Sequence, residues 1–280
     1  MRRKSNHITR FEELNWKEIN NLDRNRTIFF QPISPMEEHG PHLPVGTDFM
    51  ICRDITVEAI KVLKKRKKNL NYILLPTIPV GYSKITRDFL GSISISSSTI
   101  KDIVYGIGSS LARHDFKFLL ISTYHMDLMH LKGIYAGIRK TKRKYPFMRI
   151  YEPLAPYFYN KIVEKREPDV KFDTSKEVHA DFRETSLMRY LYPYLVDECY
   201  KKLPTVYANL FSIKNWNKTL QDIGAKNGYV GTPSKATIEY GKWFFKEMVN
   251  FYVESVLNLI EGKDLLNLPR KISTIMKLLP

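Results

Sequence analysis

Short apolar, β-rich runs alternate along the chain with longer segments in which apolar positions recur every three or four residues. The short runs are Thr27–Gln31, Tyr72–Ile78, Phe116–Thr123 and Met148–Glu152, with a fifth over Thr205–Ile213. Their length and their Val, Ile, Tyr and Phe content predict strands. Ile51, Ile55, Ala59 and Val62 form one helical stripe. Ile100, Ile103, Val104, Ile107 and Leu111 form another, behind Ser98 or Thr99 as the capping residue. A long amphipathic helix is expected from Lys235 to Ile260. The alternation predicts an α/β fold, a mostly parallel sheet between two helical layers, with ligands at the carboxyl ends of the strands. Repeats, low-complexity segments and linkers are absent from the pattern. The chain therefore reads as a single domain over 1–261, followed by a C-terminal extension over 262–280 that Pro269 interrupts.

Composition narrows this picture. With 43% hydrophobic residues against 26% charged in 280 residues, the chain has enough apolar material for a large core, which excludes a disordered protein. Its apolar runs are too short to span a membrane and the start lacks the apolar stretch of a signal peptide, so a cytoplasmic protein is expected. Two cysteines, Cys52 and Cys199, make neither a disulfide scaffold nor a cysteine zinc site. Any metal must then use histidine and carboxylate. Lys and Arg number 45 against 29 Asp and Glu, a net charge of +16, which raises the alternative of a polyanion binder. The dense basic runs, Lys64–Lys68 and Arg139–Lys144, sit where helices should end, and cations there complement the helix dipole. Nucleic acid is accordingly not the expected partner.

The chemistry concentrates in PMEEHGPHLPVGTD, Pro35 to Asp48, between the first strand and the first helix. Side chains two apart in extended backbone face the same way, so Glu37 and His39 can share a site while Glu38 points elsewhere. Gly40, Pro41, Pro44 and Gly46 force an irregular loop that returns Asp48 at a helix start. A second segment, TYHMD, ends the most apolar strand and sets His125 and Asp127 two apart. The two oxygens of one carboxylate can serve two cations, and Asp48 is the natural bridge. Glu37 and His125 would hold one ion, and His39 with a further carboxylate the other. Three carboxylates and a hydroxide would balance two divalent cations. Such a pair lowers the pKa of a shared water and polarises a carbonyl, the machinery of amide hydrolysis.

EEHGPHLPVGTD resembles the E-Q-H-G-P-H-L-P-x-G-T-D signature of the creatininase (creatinine amidohydrolase) family, with Glu37, His39 and Asp48 on its metal-ligand positions. TYHMD stands where the family has N-G-H, which puts His125 on a further one. VHADFRETS resembles H-A-G-x-x-E-T-S, carrying over His179 as a proton-handling residue and Glu184 as a carboxylate at the metal centre. GYVGTPSKAT, followed by Glu239 and Gly241, resembles a later family segment, so the likeness runs over about residues 27–257. It implies a three-layer α/β/α sandwich, two divalent ions of zinc, manganese or iron, hydrolysis of small or non-peptide amides by a metal-bound hydroxide, and a homohexamer.

Departures from the family pattern are as informative. Glu38 replaces Gln, Thr123 and Leu128 replace two asparagines, and Thr86 stands at a position where the family often has His. Creatinine-hydrolysing members carry Glu where this chain has Asp127, and either Asp127 or Glu184 can complete the second metal. The tryptophans that frame creatinine have no counterpart in Trp16, Trp216 and Trp243. A formamide is therefore a better expectation than creatinine. His42 reads as a loop-packing residue, His130 as pointing away from the centre, His7 and His114 as surface residues, and Cys52 as packed core. Tyr82 and Ser83 read as a plain turn. The alternative to an enzyme is a non-catalytic, polyanion-binding protein on the same fold.

Overall fold

The computed structural model describes residues 8–168, 170–208 and 217–279. His7, Trp216 and residues 209–213 of the fifth expected strand lie outside them. Among the described residues five strands, β1 (Thr9–Arg10), β2 (Thr27–Pro32), β3 (Asn71–Leu74), β4 (Phe118–Ser122) and β5 (Arg149–Tyr151), form one parallel sheet in the order β1-β3-β2-β4-β5. The helices are α1 (Trp16–Asn20), α2 (Thr47–Arg66), α3 (Ser97–Ala112), α4 (Leu128–Lys144), α5 (Leu154–Tyr159), α6 (Ile162–Arg166), α7 (Phe182–Leu191), α8 (Ile238–Glu261) and α9 (Arg270–Leu278).

Every residue of β2 and β4 is buried, because each face of the sheet meets helices. Ile28, Phe30, Phe118 and Leu120 pack on the side of α2, α7 and α8, while Phe29, Leu119 and Ile121 pack on the side of α3 and α4. This is the expected three-layer α/β/α arrangement. On the second side α3 and α4 approach closely at Gly133 and Gly137. A Cβ there would lie 2.6 Å from the Ser97 carbonyl oxygen and 2.8 Å from that of Lys101, so no larger residue fits.

Several boundaries differ from expectation. β3 stops at Leu74 because Pro76 has no N–H for the ladder; pairing resumes only as a bridge between Ile33 and Ile78. Ser96, not Ser98 or Thr99, caps α3, its hydroxyl accepting the Thr99 N–H at 3.0 Å. In the long C-terminal helix, Thr237 caps the start and left-handed Gly262 the end, so α8 begins three residues later than expected. Within the fifth expected strand, Val206 makes an antiparallel bridge to Gly231. The extension after Gly262 contains α9, whose Met276 packs against Leu131 and Ala155.

The basic runs do end helices. Lys64, Lys65 and Arg66 form the last turn of α2, where Arg66 pairs with Glu254 and Lys67 with Glu261. Lys142, Arg143 and Lys144 close α4 in the same manner. No helix among the described residues is long and apolar enough to cross a membrane. Both cysteines are free, Cys52 buried in the core as expected.

Candidate metal centre

β2 and β4 lie side by side, and their carboxyl ends deliver the informative segments to one place. The loop after β2 folds back on itself, the Glu37 N–H donating to the Val45 carbonyl at 2.8 Å, and so brings Asp48, in the first turn of α2, beside Glu37 and His39. His125 follows β4. Two further residues, His179 and Glu184, complete the cluster. A bridge between His179 and Val230 fixes His179, and Asp181 caps α7 by accepting the Glu184 N–H at 2.9 Å. The GYVG segment therefore supports the HADFRE segment.

Two groups of ligand-type atoms result, each within 4.8 Å of one another: Glu37, Asp48 and His125, and His39, His179 and Glu184. Asp48 joins them. Its Oδ2 lies 3.0 Å from His125 Nδ1 and its Oδ1 lies 3.3 Å from His39 Nε2. Glu37 Oε2 is 2.9 Å from His125 Nδ1, and Glu184 Oε2 is 3.6 Å from His39 Nε2. All five of these side chains are buried or nearly so.

Each ring is oriented by a backbone carbonyl on its far side. His39 Nδ1 faces the Glu37 oxygen at 2.9 Å, His125 Nε2 the Tyr82 oxygen at 2.8 Å, and His179 Nε2 the Glu38 oxygen at 2.8 Å. A ring nitrogen beside a carbonyl must carry its proton, so in each neutral imidazole the other nitrogen is a bare lone pair. For His39 and His125 that lone pair faces carboxylates. Lone pairs and anions held together in a dry site repel unless a proton or a cation sits among them, and ligating histidines show this same outer hydrogen bond. Buried Glu37 Oε2 and His39 Nε2 have no hydrogen-bond partner among the described residues, as ligand atoms for a cation would. The donor set fits divalent metals that take nitrogen and oxygen.

The titration behaviour follows from the same crowding. Burial works against a charge on His39, yet Asp48, Glu184 and Glu37 outweigh it and push the imidazole up to about 10. Burial likewise opposes the charge on His125, and Glu37 and Asp48 overcome it and raise that ring well above its usual range. Asp48 is held far below the carboxylate range despite burial, because His39 and His125 flank it. Glu184, pushed by burial and by Asp181 and Asp48 against the pull of His39, rises to about 7. A strongly cation-attracting site is the result.

Of the residues singled out in the sequence, Glu37, His39, Asp48, His125, His179 and Glu184 converge. Asp127 does not join either group. It caps α4 instead, its Oδ1 accepting the N–H of Met129 at 2.7 Å and of His130 at 3.1 Å. Glu38 does not point away: its carboxylate accepts the Gly40 N–H and lies 3.9 Å from His179 Nε2. The fit requires Gly228, where a Cβ would sit 1.7 Å from Glu38 Oε1. His42 is buried against Thr185, as a loop-packing residue should be, and His114 is exposed.

His130 corrects the expectation. It is fully buried, its ring centroid 5.2 Å from that of His125. His130 Nδ1 accepts the Tyr82 N–H at 3.4 Å and its Nε2 meets the Thr123 hydroxyl at 3.0 Å, so it braces the residues on either side of His125. The signal was present. A helix capped by Asp127 places His130 in its first turn, and helical side chains lean toward the helix N-terminus.

The sequence profile of the creatininase family, described as creatinine amidohydrolase, matches residues 12–256. Creatinine amidohydrolase of Pseudomonas putida is 23% identical over 198 residues, spanning 66% of this chain and 72% of the relative. The mycofactocin precursor peptide peptidase of Mycolicibacterium smegmatis is 22% identical over 225 residues, spanning 78% and 80% respectively. Among solved structures, a manganese creatininase superposes with a TM-score of 0.70 at 21% identity, covering 89% of this chain and 98% of that one. A zinc form of a creatininase variant gives 0.71 at 20% identity, covering 89% and 97%.

Proposed function

The chain belongs to the creatininase family, and on that premise we propose that it is a metal-dependent amidohydrolase that cleaves a C–N bond of a small amide, cyclic amide or formamide at a dinuclear centre. The observation that carries this reading is Asp48, with one oxygen toward His125 and the other toward His39. Glu37, Asp48 and His125 would hold one divalent cation; Asp48, His39 and Glu184 would hold the other, in preference to Asp127. Zinc and manganese are the metals named for related structures, and iron suits the same donors. Bound there, two such ions supply Lewis acidity for an amide carbonyl and lower the pKa of water.

The chain's own residues do the rest. His179, its Nε2 fixed on the Glu38 carbonyl and its ring 4.5 Å from that of His39, has its other nitrogen free to take the proton that the attacking water loses and to pass it to the leaving nitrogen. In the metal-free protein burial raises Glu184 to about 7, so it would give up its proton on taking a cation near neutral pH. Trp243 is packed against Phe244 and Trp16 is exposed on α1, so neither frames a substrate, which favours a formamide over creatinine.

A second reading, an amide bond of a peptide, is supported by the extent of the likeness to the mycofactocin precursor peptide peptidases. Exposed Leu90, Ile93 and Val45 beside the site suit a substrate with apolar side chains. A polyanion binder has less support, since the basic runs close helices and are partly paired with acids. A panel of formamides, lactams, cyclic ureides and short peptides, with zinc or manganese supplied, tests the proposal. Turnover of one class that a chelator abolishes and metal restores is the expected result. Salt-dependent polyanion binding unaffected by the chelator, with no hydrolysis, would replace it. The setting we propose is a cytoplasmic homo-oligomer, checked by light scattering of the purified protein.

A further inference from the structure

The two outer-shell partners of the Glu37–His125 pair come from one strap of chain, residues 81–95. The strap is tied to itself by a bridge between Gly81 and Ser94, and the Ser83 N–H donates to the Ser94 hydroxyl at 2.9 Å. It is tied to the loop after β2 by the Ile93 N–H, which donates to the Met36 carbonyl at 3.0 Å. From one end, the Tyr82 carbonyl accepts from His125 Nε2. From the middle, the Thr86 hydroxyl donates to Glu37 Oε1 at 2.9 Å. The ligands of the other position are held elsewhere: His39 by the Glu37 carbonyl, and Glu184 by the Ala180 N–H at 2.6 Å.

Thr86 does not act alone. Ser92 donates its hydroxyl proton to Thr86 Oγ1 at 3.0 Å and accepts the Glu38 N–H at 3.0 Å. Each hydroxyl thus has one proton and one direction. The Glu38 amide orients Ser92, Ser92 fills a lone pair of Thr86, and the single Thr86 proton is left for Glu37 Oε1. The Ser83 carbonyl, at 3.3 Å, is a longer alternative acceptor for it. Thr86 and Ser83 are fully buried, so no water competes for the Thr86 hydroxyl. Glu37 then offers one oxygen, Oε2, to its site, and that oxygen is the one without a hydrogen-bond partner among the described residues.

Resting on the dinuclear reading above, we propose that Thr86 and Ser92 are positioning residues that restrict Glu37 to a single ligand oxygen and thereby set the affinity of the Glu37–His125 metal position independently of the His39–Glu184 position. Thr86 is the strap's handle on the Glu37–His125 position, while Ser92 also holds the Glu37–Glu38 peptide whose carbonyl orients His39.

The experiment titrates metal-free protein with Zn2+ against a competing chelator near neutral pH. Wild type binds two ions. Thr86→Val, which keeps the shape and removes the proton, weakens one of the two affinities by about 10–100-fold and leaves the other unchanged, the range expected when an outer-shell partner is lost. Thr86→Ser restores it, and Ser92→Ala gives a smaller loss. In a His125→Ala background Thr86→Val has no further effect on the remaining ion, whereas in a His39→Ala background it does. Unfolding curves of the metal-free variants show that each is folded. Wild type with two ions and Thr86→Val with the same two affinities, or with both lowered equally, overturns the relay and leaves the dinuclear reading standing. Wild type that binds no ion at this centre removes both.

Discussion

The Ala180 N–H lies 2.6 Å from Glu184 Oε2, and Ala180 reaches it only by adopting a left-handed backbone with φ of 46°. A residue with a Cβ resists that conformation by about 1–2 kcal/mol, and glycine does not. Strain is thus spent where it orients a carboxylate at the candidate centre.

Ala180→Gly should therefore keep the metal content, with stability within about 1 kcal/mol of the parent. Ala180→Val, branched at Cβ and unable to hold a positive φ, should lose more than that and release Glu184. Denaturant unfolding together with metal analysis of the two variants reads both effects. Equal behaviour of Gly and Val would show that the turn does not matter.

His130 should act through His125. His130→Ala leaves the Tyr82 N–H and the Thr123 hydroxyl without their partner, a cost of about 1–3 kcal/mol for a buried group. It should also weaken zinc binding at the His125 position by about 10–100-fold. A variant that loses stability while keeping both zinc affinities would reduce His130 to a packing residue.

Glu184 and Asp127 separate cleanly. Glu184→Gln should lower the bound metal and abolish turnover. Asp127→Asn should preserve the metal content, since asparagine also caps a helix, and Asp127→Ala should cost about 1 kcal/mol of stability through the lost cap of α4. Loss of a metal ion in Asp127→Asn would reverse the assignment.

Protons compete with metal at this centre. In the metal-free protein His39 is pushed up to about 10 and holds a proton at neutral pH, and His125 is raised in the same direction by Glu37 and Asp48, which favours protons on both rings. Zinc must displace them, and its affinity should rise with pH toward about 10. Calorimetry in buffers of different ionisation enthalpy should detect the released protons. The sign for folding is set by the same shift. A ring whose folded pKa exceeds its ordinary 6.5 stabilises the metal-free protein fully below that value and loses the contribution as pH rises through about 10. Melting temperatures should accordingly fall over that interval in wild type and less in His39→Gln.

Much of this was legible in the sequence because the signals are local. The largely apolar β2 and β4 and the stripes of α2 and α3 announce a sheet buried between helices, and residues at the carboxyl ends of adjacent strands must meet. The parts that escaped depend on neighbours distant in the chain. β1 is two residues long and exists only through pairing with β3. Glu38 alternates away from Glu37 only in an ideal strand, and left-handed Gly40 breaks that geometry two residues later. Thr86 and Ser92 carry no pattern of their own, and their role depends on the strap lying against the loop after β2.

Crystals grown with zinc and measured on both sides of its absorption edge test the central claim directly. The account predicts two anomalous peaks, one between Glu37, Asp48 and His125 and the other between Asp48, His39 and Glu184, each within bonding distance of a different Asp48 oxygen. A single peak, peaks that avoid Asp48, or an empty centre in zinc-loaded protein would contradict it.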